Sequence, residues 1–122
     1  MNKKILVVDD DLPITKGIEM VLKNAGYETK YTLKGEETIE LVNTFKPDLI
    51  LMDVMLAGLD GREIAKELKS KDETKAIPII MISANHNMEK GIEAYGVNTF
   101  VSKPFSSRHL LDVVEKSLTP TA

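Results

Sequence analysis

The chain has 122 residues, 43% hydrophobic and 29% charged, and its 16 basic and 19 acidic side chains give a net charge of -3. That length and apolar content suit one domain with a real core, and the lack of a Lys/Arg block or basic stripe argues against direct binding of nucleic acid. No apolar run approaches the roughly 18 residues of a membrane span, no basic-then-apolar signal opens the chain and there is no cysteine, so the expectation is a cytoplasmic protein with no membrane association.

The first element is a short apolar run, Ile5-Leu6-Val7-Val8, closed by Asp9-Asp10-Asp11. Ile14, Ile18, Val21, Leu22 and Ala25 then recur with the spacing of one helical stripe, with Asp11 as its cap, Pro13 in its first turn and Gly26 at its end. A short strand around Tyr27 to Tyr31 precedes a helix from about Gly35 to Phe45 with Ile39 and Val42 inward, and Pro47 breaks the pattern. The next apolar run, Leu49-Ile50-Leu51-Met52, is closed by Asp53. Asp60-Gly61 reads as the start of a third helix carrying Ile64, Ala65 and Leu68. Ile79-Ile80-Met81-Ile82 stops at Ser83-Ala84, and a fourth helix is expected over Met88, Ile92 and Tyr95 with Gly96 at its end. Phe100-Val101 leads into Lys103-Pro104-Phe105, and Leu110, Leu111, Val114 and Leu118 mark a fifth helix.

Five strand-helix units in alternation predict an α/β fold, a parallel sheet with helices on both faces. One domain spans residues 1–119, and 120–122 form a tail. In an open parallel sheet the site lies beyond the carboxyl ends of the strands, which is where Asp9, Asp10, Asp53, Ser83 and Lys103 converge. Like charges held a few ångströms apart repel unless a cation joins them. Asp9, Asp10 and Asp53 therefore read as a cation site, and all-oxygen ligands favour Mg²⁺. Zinc is disfavoured because His86 and His109 lack its ligand spacing. With two carboxylates on the metal, Asp53 is free to act as a nucleophile towards a phosphoryl group. The Lys103 ammonium and the Ser83 hydroxyl are placed to meet the phosphoryl oxygens.

These residues together resemble the receiver domains of two-component response regulators, over about Lys3 to Leu118. Asp9-Asp10 is similar to the family's acidic pair, Met52 to Gly61 to its phosphoacceptor segment, Ser83-Ala84 to its hydroxyl switch, Phe100 to its switch aromatic and Lys103-Pro104-Phe105 to its lysine turn. The resemblance implies a flavodoxin-like, doubly wound, five-stranded parallel sheet of strand order 2-1-3-4-5, with a cis peptide before Pro104. It implies the Met55 backbone carbonyl as a further Mg²⁺ ligand, and a sensor histidine kinase or histidine phosphotransfer protein as donor to Asp53. A downstream target protein would read the face made by the fourth helix, fifth strand and fifth helix, about Met88 to Leu118, when Ser83 and Phe100 switch. Donor docking would use Leu12, Ile14, Thr15 and Ile18 on one edge and Pro104, Phe105 and Ser106 on the other. Two positions depart from the family: Ala57 stands where proline is usual, and Ser83 where threonine is commoner.

Met55 and Asn85 flank the path of a water attacking the phosphorylated Asp53, Met55 excluding it and Asn85 orienting it. Self-dephosphorylation on a scale of minutes is expected from such weak activation of water. The chain reads as a regulatory phosphoacceptor, not an enzyme of general turnover, since an aspartyl phosphatase would carry a second acid where Met55 stands. The start at Met1-Asn2-Lys3-Lys4 disfavours a receiver excised from the end of a hybrid kinase, and a stand-alone receiver is the expectation. The alternatives are the N-terminal receiver of a longer regulator whose output domain is absent, and a phosphorylation-independent interaction module.

Overall fold

Alternation along the strands decides the architecture, because successive side chains of a strand point to opposite faces. In the computed structural model, which describes residues 2–119, the first strand β1 (Lys4–Val8) sends Leu6 and Val8 into one core and Ile5 and Val7 into another. The strands β3 (Leu49–Asp53) and β4 (Ile79–Ser83) do the same and are buried along their whole length. A strand buried on both faces needs helices on both sides. Helix α1 (Leu12–Asn24) and the last helix α4 (Ser107–Leu118) cover the Ile5 face through Ile18, Leu22, Leu110 and Val114. Helices α2 (Thr38–Phe45) and α3 (Gly61–Lys69) cover the Leu6 face through Val42, Ala65 and Leu68.

With β2 (Glu28–Thr32) and β5 (Thr99–Ser102) added, the sheet has the order β2-β1-β3-β4-β5 and every pairing is parallel. This is the doubly wound arrangement implied by the resemblance. The Asp11 carboxylate accepts from the Ile14 amide and caps α1, with Pro13 in the first turn. Gly26 (φ 98°) turns the chain out of the helix. The expected tail at 120–122 lies outside the described residues.

Three local expectations are corrected. The buried stripe of α1 is Thr15, Ile18, Glu19 and Leu22, while Ile14 and Ala25 are exposed. The stripe is rotated by about one position because the helix packs on a sheet edge where Glu19 finds Thr29 as a hydrogen-bond partner. The helix expected from Gly35 starts as a 3-10 turn over Gly35–Glu37 before α2 begins. The fourth helix does not form. In its place are two 3-10 turns, His86–Glu89 and Ile92–Tyr95, separated by Lys90 in extended conformation and Gly91 at φ 77°. Glycine in mid-segment, with the Asn85 side chain taking the Asn87 backbone amide, leaves too few residues on either side for a stable α-helix.

Two glycines separate packing from propensity. A Cβ on Gly61 would strike the backbone carbonyl oxygen of Asp53, whereas a Cβ on Gly17, inside α1, meets nothing within 4 Å. Gly61→Ala should therefore lower stability by about 1–3 kcal/mol through overpacking. Gly17→Ala should raise it by about 1 kcal/mol through helix propensity. Urea unfolding of both variants checks the opposite signs.

Candidate functional site

Strand register brings the polar residues to one end of the sheet. Val8 pairs with Met52, so Asp9 leaves β1 level with Asp53 at the end of β3. Asp53 pairs with Ile82, and Ser83 with Ser102, so Ser83 lies one step further out and Lys103 two. Asp9, Asp53 and Ser83 are buried, and Asp10 is exposed at the mouth of the crevice. Carboxylate oxygens of Asp9, Asp10 and Asp53 lie within 4.8 Å of one another. The Lys103 ammonium reaches back across the sheet end to Oδ2 of Asp9 at 2.9 Å and Oδ2 of Asp53 at 2.7 Å.

The other oxygens are held by backbone. Met55 N–H donates to Asp53 Oδ1 at 3.0 Å, and Asp11 N–H donates to Asp9 Oδ1 at 3.0 Å. Ser83 Oγ accepts from the Asn85 amide at 3.1 Å, while its carbonyl accepts from Lys103 N–H at 2.9 Å, and the Lys103–Pro104 peptide is cis. Phe100 is half-buried against the core on the α2-α3 side.

Charge in this crevice is not balanced. Three carboxylates face one ammonium, which leaves two negative charges uncompensated. Burial raises the Asp53 pKa, and the Asp9 charge adds to it; the hydrogen bonds from Lys103 and Met55 and the ammonium's charge pull the other way without cancelling it. For Lys103 burial favours the neutral form, but its bonds to Asp53 and Asp9 prevail and hold the pKa above the usual lysine value. The lysine stays charged while Asp53 still lacks compensation. An oxygen-only donor set with one exposed member, Asp10, open to waters is what a hydrated hard dication takes. The residues fit Mg²⁺.

Several other residues have clear positions. Met55 is 59% exposed beside the crevice. Asn85 is exposed, and its side-chain oxygen is engaged by the Asn87 amide at 3.0 Å, capping the first 3-10 turn. Leu12 and Ile14 are exposed, and a groove of about 440 Å³ runs between Ile14, Ala84, Lys103, Pro104 and Phe105. Thr15 and Ile18, expected on that docking edge, are buried. Ile18 belongs to the core and Thr15 bonds to the acidic turn.

Sequence reasoning missed three contributors. Gly61 allows α3 to start against the Asp53 carbonyl, and its amide donates to Val54 O at 2.7 Å. Asp60, the expected cap of α3, also grips Arg62 in a two-pronged pair that lowers its carboxyl pKa, and Arg62 lies 5.3 Å from the Tyr95 ring centre. Thr15 was expected on the docking edge, not bonded beneath the acidic turn. Only the Asp-Gly pair carried a readable signal, and that signal said helix start, not close approach.

A doubly wound α/β domain with an acid-lysine crevice at its carboxyl edge defines the class. The family model of the response regulator receiver domain matches residues 5–115, and the chain belongs to that family. The fold is similar to the chemotaxis response regulator CheY4 of Vibrio cholerae, with a TM-score of 0.90 at 28% identity over 97% of this chain and 100% of that one. It is similar to the receiver domain of NtrX from Brucella abortus, with a TM-score of 0.85 at 30% identity over 93% and 97% of the two chains. A third similar structure is the signal receiver domain of a signal transduction histidine kinase from Syntrophus aciditrophicus, with a TM-score of 0.86 at 26% identity over 95% and 89%. In the longer NtrX chain the matched region is 27% of the whole.

The raised pKa of Asp53 has a thermodynamic consequence. A carboxyl whose folded-state pKa exceeds its unfolded value of roughly 4 stabilises the fold below that value, and the contribution is lost as pH rises through the folded pKa. In chelator, Asp53→Asn should gain on the wild type as pH rises from 4 to 7 and melt at the higher temperature at pH 7. Scanning calorimetry across that range checks the direction; a lower melting point for the variant at pH 7 would show that the Lys103 pair dominates.

Proposed function

We propose that the domain accepts a phosphoryl group from a phosphohistidine onto Asp53 and so regulates a partner protein. The observation that carries this reading is Lys103 bridging Asp9 and Asp53 beside a third carboxylate, a buried anionic crevice with one fixed cation. In the transfer, the P–N bond of the donor breaks as a bond from an Asp53 carboxylate oxygen to phosphorus forms, and the donor imidazole leaves with its electron pair. Mg²⁺ held by Asp9, Asp10, Asp53 and the Met55 backbone carbonyl would neutralise charge on the phosphoryl oxygens. Lys103 stays protonated, which suits it to pair with one of those oxygens once Asp53 is esterified. The Ser83 hydroxyl, which only accepts from the Asn85 amide, has its proton free to donate to another as it moves towards the phosphoryl group.

The same movement of Ser83 vacates space on the β4 end, and Phe100, paired across from Met81 on β5, is the aromatic that would follow it. The responding face is the 3-10 segment from Met88, β5 and α4, to Leu118. Local charge thus biases a two-state element. A histidine kinase or histidine phosphotransfer protein as donor, and a target on the responding face, are the partners that go with family membership. A donor would dock on the exposed Leu12 and Ile14 and the groove beside Phe105. A cytoplasmic setting accords with such partners, and no helix among the described residues is long and apolar enough to cross a membrane. Met55 in place of a second acid supports a phosphoacceptor over a phosphatase that turns over free esters.

Incubation with acetyl phosphate and Mg²⁺ should add one phosphoryl mass, with no gain in chelator and none in Asp53→Asn; intact-mass spectrometry reads all three. A gain that persists in Asp53→Asn would sink the assignment. Met55→Asn should shorten the phosphoryl lifetime several-fold by placing a polar amide beside the attacking water. Time-resolved intact mass after removal of the donor checks it, and a longer lifetime in the variant would remove Met55 from this role.

A further inference from the structure

We propose that Thr15 is a positioning residue for the acidic site, its buried hydroxyl closing the backbone turn that aims the Asp9 carboxylate. The inference rests on the reading of the crevice as a Mg²⁺-dependent phosphoacceptor. Thr15 has no exposed surface, and its Oγ1 lies 2.8 Å from the Asp11 carbonyl and 3.2 Å from the Asp9 carbonyl. A helical threonine commonly bonds to the carbonyl four residues back, which here is that of Asp11. The contact to Asp9, six residues back, is outside that habit.

One hydroxyl proton shared between these two carbonyls ties the ends of the Asp9-Asp10-Asp11 turn together. The closed turn directs the Asp11 amide onto Asp9 Oδ1, leaving Oδ2 to Lys103. It also leaves Asp10 on the outside of the turn, exposed, with an oxygen near those of Asp9 and Asp53. Thr15 thus touches neither the phosphoryl group nor the metal. It acts through the backbone, as outer partners of metal ligands do.

Calorimetric titration of Mg²⁺ into the wild type, Thr15→Val and Thr15→Ser tests this. Valine keeps the shape and removes the hydroxyl, and serine restores the hydroxyl without the methyl. Thr15→Val should weaken Mg²⁺ binding about tenfold, the lower end of what outer-partner losses produce, and Thr15→Ser should bind like the wild type. Phosphorylation of Thr15→Val by acetyl phosphate should be slow at low Mg²⁺ and recover at saturating Mg²⁺, a split that loss of fold does not give. Thermal melts in chelator establish that each variant is folded at the titration temperature, and Thr15→Ala takes the place of Thr15→Val if the latter is not. Wild-type affinity in the hydroxyl-free variant overturns the inference alone, as does a serine variant as weak as the valine one. A wild type that binds no Mg²⁺ overturns the phosphoacceptor reading and the inference with it.

Discussion

Two buried carboxylates on neighbouring strand ends, joined by one lysine, are the constraint on which the rest of this domain depends. Burying an unpaired carboxylate costs several kcal/mol even after relaxation, and Asp9 and Asp53 are both buried beside each other. Lys103 offsets part of that, but only because the sheet order places β5 one strand beyond β4, close enough for the side chain to span back to β3 and β1. A register slip of one residue in β3 would turn Asp53 to the other face and leave Lys103 with a single partner. The parallel ladders of β3 with β1 and β4, and the fit of its side chains into two separate cores, hold that register. Apolar packing therefore holds in place an electrostatic arrangement that is unfavourable in itself.

That unfavourable balance marks the crevice as a place where an added charge would matter most. Because burial keeps the Asp53 pKa raised despite Lys103, an added cation is favoured there, and a phosphoryl group, which brings more negative charge, raises the need for one. The strain is local, and the groups that can relay it are close by: Met55 N–H on Asp53, Asn85 N–H on Ser83, and Lys103 N–H on the Ser83 carbonyl. The first two couple a side chain of the site to the backbone of a loop, and the third ties the backbone before Pro104 to the end of β4. A change of charge at Asp53 or Ser83 would therefore act on these loops before anything else.

Much of this was legible in the sequence, for a definite reason. Apolar runs ending in Asp9, Asp53, Ser83 and Lys103 encode both the strand and its carboxyl end, so placing the strands placed the site. Four of the five strands and the convergence of the acids with Lys103 came from that one pattern, whereas β2, with no such run, was placed only as a short strand around Tyr27 to Tyr31. What escaped was set by tertiary packing. Thr15 and Glu19 are buried polar residues on a helix whose stripe looked complete with Ile14 and Ala25, and only their hydrogen-bond partners explain their burial. Gly61 read as a helix start, because close approach to a carbonyl leaves no periodic trace.

The failed expectation of a fourth helix bears on function. Two glycines at positive φ, Gly91 and Gly96, bracket the turn Ile92–Tyr95, and α3 holds that turn from both ends. Arg62 lies against Tyr95, and the stem of Lys69 fills the space over Gly96 while its ammonium donates to the Ile77 and Lys75 carbonyls. Ile92 and Val97 are buried in the same core. The turn before it, His86–Glu89, has no buried residue, and only Met88 packs against the core. Helical hydrogen bonding would have joined the two halves into one rigid rod. Divided at Gly91, the segment has a half fixed to α3 and a half adjoining Ser83 and Asn85 that is tied down by few contacts. Low local packing is the condition for opening at small free-energy cost, so a displacement begun at Ser83 meets least resistance in the residues that follow it directly.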